Sequence, residues 1–508
     1  MLRWLRSACR DTGANVAVTV ALSLAPLSLA ALGALDIARA TAAKLILQDS
    51  LDAAALATAK TTVSDPVQLQ NTGDRILHQN LVFDSSVTLT GDIFTFGTGG
   101  TVVANASAGV RPLIIGFITG GDIKVGAHTE VKRAGNELEI ALVLDNTGSM
   151  QGAKISNLKT AAKSFIDSMA QAAAQTGDPN AVKISLVPFA NTVRVGSAYA
   201  TAAWVDQAGA SPINNEIFAD ANGVQTWANR FTLLNQMGLT WAGCVESRQA
   251  PYDIQDTAPS TGAPATLFTP YFAPDEPDGG GYSNDYLNDG STSSNWKVLQ
   301  GRVGKYNSPP RFWGGGGPNA GCTMQPMQRL STDFNTLKTA INAMQAGGET
   351  NIPMGLVWGW HTLSPNAPFN DGVAYGTPRH KKIVILMTDG QNTMMDPGNP
   401  NASSYSGTGY IWQGRVLQAN GTPLTSGTAA QREAALDDRL QKLCANMKAP
   451  GTDIEIYTMR VEVTGGASTV LQDCASGADH YFDVQNSAQL NAVFLQIANG
   501  IASLHLSK

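Results

Sequence analysis

Charge is scarce in this chain. Asp, Glu, Lys and Arg make up 15% of its 508 residues, with a net charge of −6, and the basic residues are scattered. That leaves no electrostatic footprint for nucleic acid. Cysteine is scarcer still, at five residues. No Cys-x-x-Cys pair occurs, which argues against a zinc ribbon. The six histidines stand apart and suggest no metal cluster. The glycine run Gly314–Gly317 lacks the Gly-Lys-Ser/Thr that would make it a phosphate loop. What the chain does have is 43% hydrophobic residues, enough for real cores, and 51 glycines. This mix favours an extracytoplasmic protein with long loops, and the length allows two to four domains at roughly 150 residues each.

The amino terminus carries Arg3, Arg6 and Arg10 and then an uncharged stretch, Ala14 to Leu35. As a helix this stretch spans roughly 33 Å, enough for a bilayer core. Positive residues on its amino side place the short tail in the cytoplasm and the rest outside the inner membrane. The rival reading is a cleaved signal peptide, whose apolar region is usually about 7–15 residues. Pro26 is tolerable in a membrane helix. Cys9 falls on the cytoplasmic side and Cys244, Cys322, Cys444 and Cys474 on the exported side, where an oxidising compartment lets an even set pair. Cys244–Cys322 with Cys444–Cys474 is the favoured pairing, although spacing leaves the other two connectivities open.

Three segments follow from the pattern of residues. Residues 1–60 read as tail, membrane span and an Ala-rich helix from Asp36 to Lys60, a spacer or stalk in the plainer reading and a helix packed on partner helices in the alternative. Residues 61–136 read as a small β module built on Leu81–Phe83, Val87–Thr90, Ile93–Phe96, Thr101–Val103 and Leu113–Ile118. Residues 137–508 read as an α/β domain. Its strands are Ile140–Leu144, Val182–Phe189, Lys382–Thr388, Ile454–Val461 and Tyr481–Val484, alternating with amphipathic helices. Asn191–Val195 reads as an edge strand. A long irregular insertion runs from about 197 to 332. A plain loop of that length is implausible in a compact domain, and its aromatics favour an ordered lobe. Within it, Asp275, Glu276 and Asp278 are candidate Ca²⁺ ligands, though a solvated acidic turn is the plainer reading.

The strand Ile140–Leu144 is apolar on both faces, as a central parallel strand requires. It ends in Asp145-Asn146-Thr147-Gly148-Ser149, which places a carboxylate and two hydroxyls in one turn before a helix. Strand-to-helix exits are where open α/β sheets bind ligands, and a hard cation prefers such oxygens. Simple helix capping is the alternative. Further on come Gly347-Gly348-Glu349-Thr350 and Thr388-Asp389-Gly390, the latter again closing an apolar strand.

This order of motifs resembles the von Willebrand factor A family and its metal-ion-dependent adhesion site. The resemblance covers 137–196 and 331–508 and implies a doubly wound, Rossmann-like fold. It also implies a Mg²⁺ site (Mn²⁺ or Ca²⁺ possible) held by Asp145, Thr147, Ser149, Thr350 and Asp389, with an open position for a carboxylate of a protein ligand. More of the chain resembles TadG-like proteins of the bacterial tight-adherence (Flp) pilus assembly system. The matching stretches are Gly13-Ala-Asn-Val-Ala17, Leu138–Met150, Cys244-Val-Glu-Ser-Arg248, Pro270–Pro277, Gly317–Pro326, Thr350-Asn-Ile-Pro353, Cys474-Ala-Ser476 and Tyr481-Phe482. That likeness implies an envelope-anchored adhesion protein with pilus or pilus-assembly components as partners. Pilin-like members carry a Glu soon after the processing glycine. Ala14–Ala21 holds none, which argues against prepilin-type cleavage. A scaffold or pilus-tip role with a merely stabilising cation is the alternative. Metal-assisted hydrolysis is disfavoured, because no Ser-His-Asp set or activated Cys lies beside these motifs, and the chain is not expected to be an enzyme.

Overall fold

The computed structural model describes residues 12–506 except 62, 64, 98–100, 114–119, 133–135, 177, 179, 221, 280, 291–294, 312–315 and 464–467. The basic tail with Arg3, Arg6, Cys9 and Arg10, most of the run 113–118, and Gly314 and Gly315 lie outside the described residues. The chain divides into two compact units, the first essentially Met1–Gly135 and the second Asn136–His505 apart from a short stretch near 174–178.

The first unit is built on one continuous helix, α1 (Thr12–Ala59). Its amino-terminal half is apolar and exposed, with Val16, Leu22, Leu24 and Leu27 all open to the surroundings. It is long and apolar enough to cross a membrane. Its second half is no free spacer. Leu47, Leu51, Ala54 and Ala55 are fully buried in one core with α2 (Pro66–Asn80) and a three-stranded antiparallel sheet. The strands are β1 (Val87–Phe96), β2 (Thr101–Val110) and β3 (Ile123–Lys132), with β2 central. Val102, Ala104, Ala106 and Ala108 point inward at every second position, the strand period expected of a half-buried sheet. The helix α2 corrects the sequence reading. Its composition is polar, but Asp65 caps it through Gln68 N, Pro66 opens it, and Leu69, Gly73 and Leu77 form its buried stripe. Leu81–Phe83, expected as a strand, is the irregular exit from that helix.

The histidines need a similar correction. His78 and Asp74 lie one turn apart on α2, and β1 brings Asp92 alongside, so their ligand atoms all fall within 4.8 Å of one another. Helical spacing and an adjacent strand make this group, which residues isolated in sequence do not reveal.

The second unit has the expected doubly wound, largely parallel sheet. Strands β4 (Glu137–Asp145), β5 (Val182–Phe189), β9 (His380–Thr388), β10 (Glu455–Val461) and β11 (Tyr481–Val484) run parallel in the order β11-β10-β9-β4-β5. Short antiparallel strands extend the β5 side: β6 (Val193–Arg194), β7 (Cys244–Val245) and β8 (Gln328–Ser331). The return of the chain at β8 was not anticipated, so the insertion ends inside the sheet rather than beyond it.

Both faces of β4 are covered, which explains its unbroken apolar run. Ile140, Leu142 and Leu144 pack with α3 (Ala153–Thr176), α6 (Phe334–Ala343) and α10 (Leu490–Leu506). Ala141 and Val143 face α7 (Ile352–Leu363) and α8 (Ala429–Met447). Every residue of α7 is buried. It lies close on the sheet because Gly355 and Gly359 face it. A Cβ at Gly359 would stand 2.4 Å from Val143 Cγ2, and one at Gly355 2.4 Å from the Phe189 ring.

The insertion supplies the outer wall of α7. Trp204 and Phe268 pack on Trp358, with Phe268 at 4.7 Å between ring centres. It contains α4 (Arg230–Gln236) and α5 (Trp296–Gly301) and is an ordered lobe. Both favoured disulfides, Cys244–Cys322 and Cys444–Cys474, are formed, the second joining α8 to α9 (Thr469–Cys474). A second excursion between β9 and α8 packs on the insertion through buried charge. Glu246 accepts from Arg230, Arg415 and Tyr405. Burial opposes its ionisation, but the two arginines outweigh it and hold the carboxyl below its ordinary value.

The acidic stretch 275–278 corrects another expectation. Asp275 and Glu276 are buried, not solvated. Asp275 pairs with Lys305 at 2.8 Å and accepts from Tyr286 N and Leu287 N. Glu276 takes Asn401, Tyr410, Ser283 N and Asn284 N. These acids hold the lobe together, using the second excursion as a partner that sequence proximity could not indicate.

Candidate metal centre

The parallel register sets the site. Leu144 lies opposite Met387, so the carboxyl ends of β4 and β9 finish side by side. Asp145, the last residue of β4, therefore meets Thr388, which donates to its Oδ2 at 2.6 Å. The other oxygen, Oδ1, accepts from Thr147 N at 2.8 Å, tightening the turn after the strand. Thr147 Oγ1 and Ser149 Oγ lie 2.9 Å apart. Ser149 then crosses to the second carboxylate, donating to Asp389 Oδ1 at 2.6 Å.

Thr350 reaches the same rim from a third direction. Gly148 N donates to Gly348 O and Gly347 N to Asn146 O, at 2.9 and 2.7 Å, which staples the third loop to the first. Gly348 has φ +87°, a left-handed conformation that suits glycine. Thr350 N donates to Thr393 Oγ1 at 2.8 Å, and Thr350 O accepts from Thr393 N at the same distance. A Cβ built on Gly390 would lie 3.8 Å from both Ser149 Oγ and Thr350 Oγ1. All five candidate ligands therefore gather at one edge of the sheet. Asp145, Thr147, Thr350 and Asp389 are buried, and Ser149 stands exposed at the mouth.

Several contributors escaped sequence reasoning. Thr388 orients Asp145. Asn392 Oδ1 accepts from Ile352 N at 2.8 Å, which ties the start of α7 to the β9 loop. Lys154, in the first turn of α3, places Nζ 2.6 Å from Asp389 Oδ2. Only its position shortly after Ser149 could have drawn notice.

The electrostatics bear on what the rim can hold. Burial pushes the Asp145 carboxyl up to about 6; the bonds from Thr147 and Thr388 oppose the rise and the nearby Asp389 charge adds to it. Among the described residues no cationic side chain pairs with Asp145, whereas Asp389 has Lys154. A buried charge is normally paired or coordinates a metal. An all-oxygen set with two carboxylates and three hydroxyls fits a hard divalent cation such as Mg²⁺ or Mn²⁺. Asp145, Thr147, Ser149 and Thr350 would hold it, with Asp389 supporting through Ser149.

No protein-family model matches the chain, and no curated protein matches it. Solved structures do. They include the von Willebrand factor domain of the type V pilus tip protein Mfa5 of Porphyromonas gingivalis, at 11% identity and TM-score 0.35 over 72% of this chain and 96% of that one. The PilB minor pilin of Streptococcus sanguinis matches at 11% identity and TM-score 0.32 over 82% and 79%. The pilus adhesin SpaC of Lactobacillus rhamnosus GG matches at 12% identity and TM-score 0.33 over 83% of this chain and 35% of its own. The chain thus spans about a third of the length of SpaC.

Proposed function

We propose that the chain is a membrane-anchored, non-enzymatic binding protein of a tight-adherence-type pilus system, with its main domain outside the inner membrane. Mg²⁺ at the rim, held by Asp145, Thr147, Ser149 and Thr350, would offer a coordination position to a carboxylate of a protein partner. The observation that carries this reading is the convergence itself. Ser149 and Asp389, 240 residues apart, are joined by one hydrogen bond beside Thr350 and the buried carboxylate of Asp145, which pairs with no cation among the described residues.

The chemistry is that of binding. Asp145 and Thr147 form the floor, Ser149 stands at the mouth, and the pairing of Thr388 with Asp145 fixes the carboxylate plane. The apolar strands behind the rim exclude water from below. The uncharged span Ala14–Leu35 supplies the anchor, and the sequence resemblance supplies the pilus context.

The test is capture of pilus or envelope partners by the full-length chain, with and without chelator, beside Asp145→Ala. Partner recovery should need the divalent ion and be lost in the variant, while the circular dichroism spectrum of the variant stays native. Partners retained equally by Asp145→Ala would remove the metal from binding. If chelator lowered thermal stability without changing recovery, the scaffold role would hold instead.

A further inference from the structure

We infer that Lys154 is a tethered counter-ion that weakens the hold of the rim on its metal and leaves the loaded site selective for an anionic ligand. This rests on the metal-binding reading above and concerns which chemistry the open position accepts.

The placement of Lys154 is unfavourable for the helix that carries it. It sits second in α3 (Ala153–Thr176), and no acidic residue shares the first turn. A cation there opposes the helix dipole, so local preference does not explain it. Its partner does. Nζ lies 2.6 Å from Asp389 Oδ2, with the Lys154 side chain 21% exposed and that of Asp389 fully buried. The other Asp389 oxygen is taken by Ser149. The Lys154 charge also reaches Glu462, whose carboxyl is held below its ordinary value chiefly by the bonds from Ser487 and only lastly by Lys154. Glu349, beside Thr350, has its carboxylate engaged by Met395 N and faces the charge of Arg432.

The consequence is a matter of charge count. Two rim carboxylates alone would neutralise a divalent ion and leave water an adequate remaining ligand. With Lys154 already on Asp389, the same ion leaves one positive charge in excess at a poorly solvated rim. There, electrostatic interactions are several times stronger than in bulk water. Metal affinity falls, because the Lys154 ammonium already neutralises Asp389, the second carboxylate beside the ion. Affinity of the loaded site for a carboxylate rises. One residue thus moves the two equilibria in opposite directions, which a purely structural ion pair would not do.

The experiment uses the full-length chain in detergent, with Mn²⁺ as metal and acetate as carboxylate probe. Calorimetric titration reads metal affinity. Water-proton relaxation of the Mn²⁺-loaded chain reads displacement of bound water by acetate. Lys154→Met should bind Mn²⁺ about tenfold more tightly and require about tenfold more acetate, as order-of-magnitude effects of one nearby charge. Lys154→Arg should restore wild-type behaviour in both and guards against a folding artefact. Equal or weaker Mn²⁺ binding by Lys154→Met, or an unchanged acetate titration, would overturn the inference. A wild-type chain that binds no Mn²⁺ would instead remove the metal reading on which it rests.

Discussion

Asp145→Asn should stabilise the metal-free protein. The native carboxyl is pushed from 3.8 up to about 6, first by burial, against the bonds from Thr147 and Thr388. About two pH units at 1.36 kcal/mol each amount to roughly 3 kcal/mol against the ionised form. The sign follows from linkage. The folded-state value lies above the unfolded one, so the penalty is absent below about pH 4, grows between about pH 4 and 6, and is constant above. Asparagine keeps the local bonds, since its oxygen can accept from Thr147 N. Thr388 can then accept from its amide and donate to Gly390 O, a contact already present at 3.2 Å. Urea unfolding of the full-length chain in chelator, followed by tryptophan fluorescence, should show the variant more stable by up to about 3 kcal/mol at pH 7.5 and equal to wild type near pH 4. Added Mg²⁺ should raise the wild type by mass action and leave the variant unmoved. A variant less stable than wild type in chelator at pH 7.5, or one whose advantage persists unchanged at pH 4, would refute the reasoning.

Other parts of the structure give equally definite expectations. Glu246→Leu removes the carboxylate shared by Arg230, Arg415 and Tyr405 and should cost about 3–5 kcal/mol, because it strands buried cations. A loss below about 1 kcal/mol in thermal melting would mean that this network does not hold the two excursions together. Gly359→Ala drives a methyl against Val143 and should cost about 1–3 kcal/mol. Adding Val143→Ala should recover part of that loss, and strict additivity of the two in denaturant unfolding would show that they do not meet.

Much of this was legible in the sequence, for identifiable reasons. Ile140–Leu144 announced a strand buried on both faces, and both faces are indeed packed. The loops carrying Asp145, Thr350 and Asp389 could be read because each follows a strand or precedes a proline-opened helix, and parallel topology then brings their ends together. What escaped depended on partners distant in the chain. Lys154 reads as an ordinary helix charge until β9 places Asp389 beside it. Asp275 and Glu276 look solvated until Lys305, Asn401 and Tyr410 enclose them. The short β8 has too few residues to show a period. The Asp36–Lys60 stretch gave its helix correctly but not its packing, because an Ala-rich face suits close approach to a sheet as well as open solvent.

The most direct measurement is calorimetric titration of Mn²⁺ into the full-length, metal-stripped chain and its rim variants. One high-affinity ion per chain is expected, lost in Asp145→Ala and clearly weakened in Thr350→Ala and Ser149→Ala, residues drawn from two separate loops. Absence of binding, or binding that survives Asp145→Ala intact, would contradict a single divalent ion gripped by three distant segments.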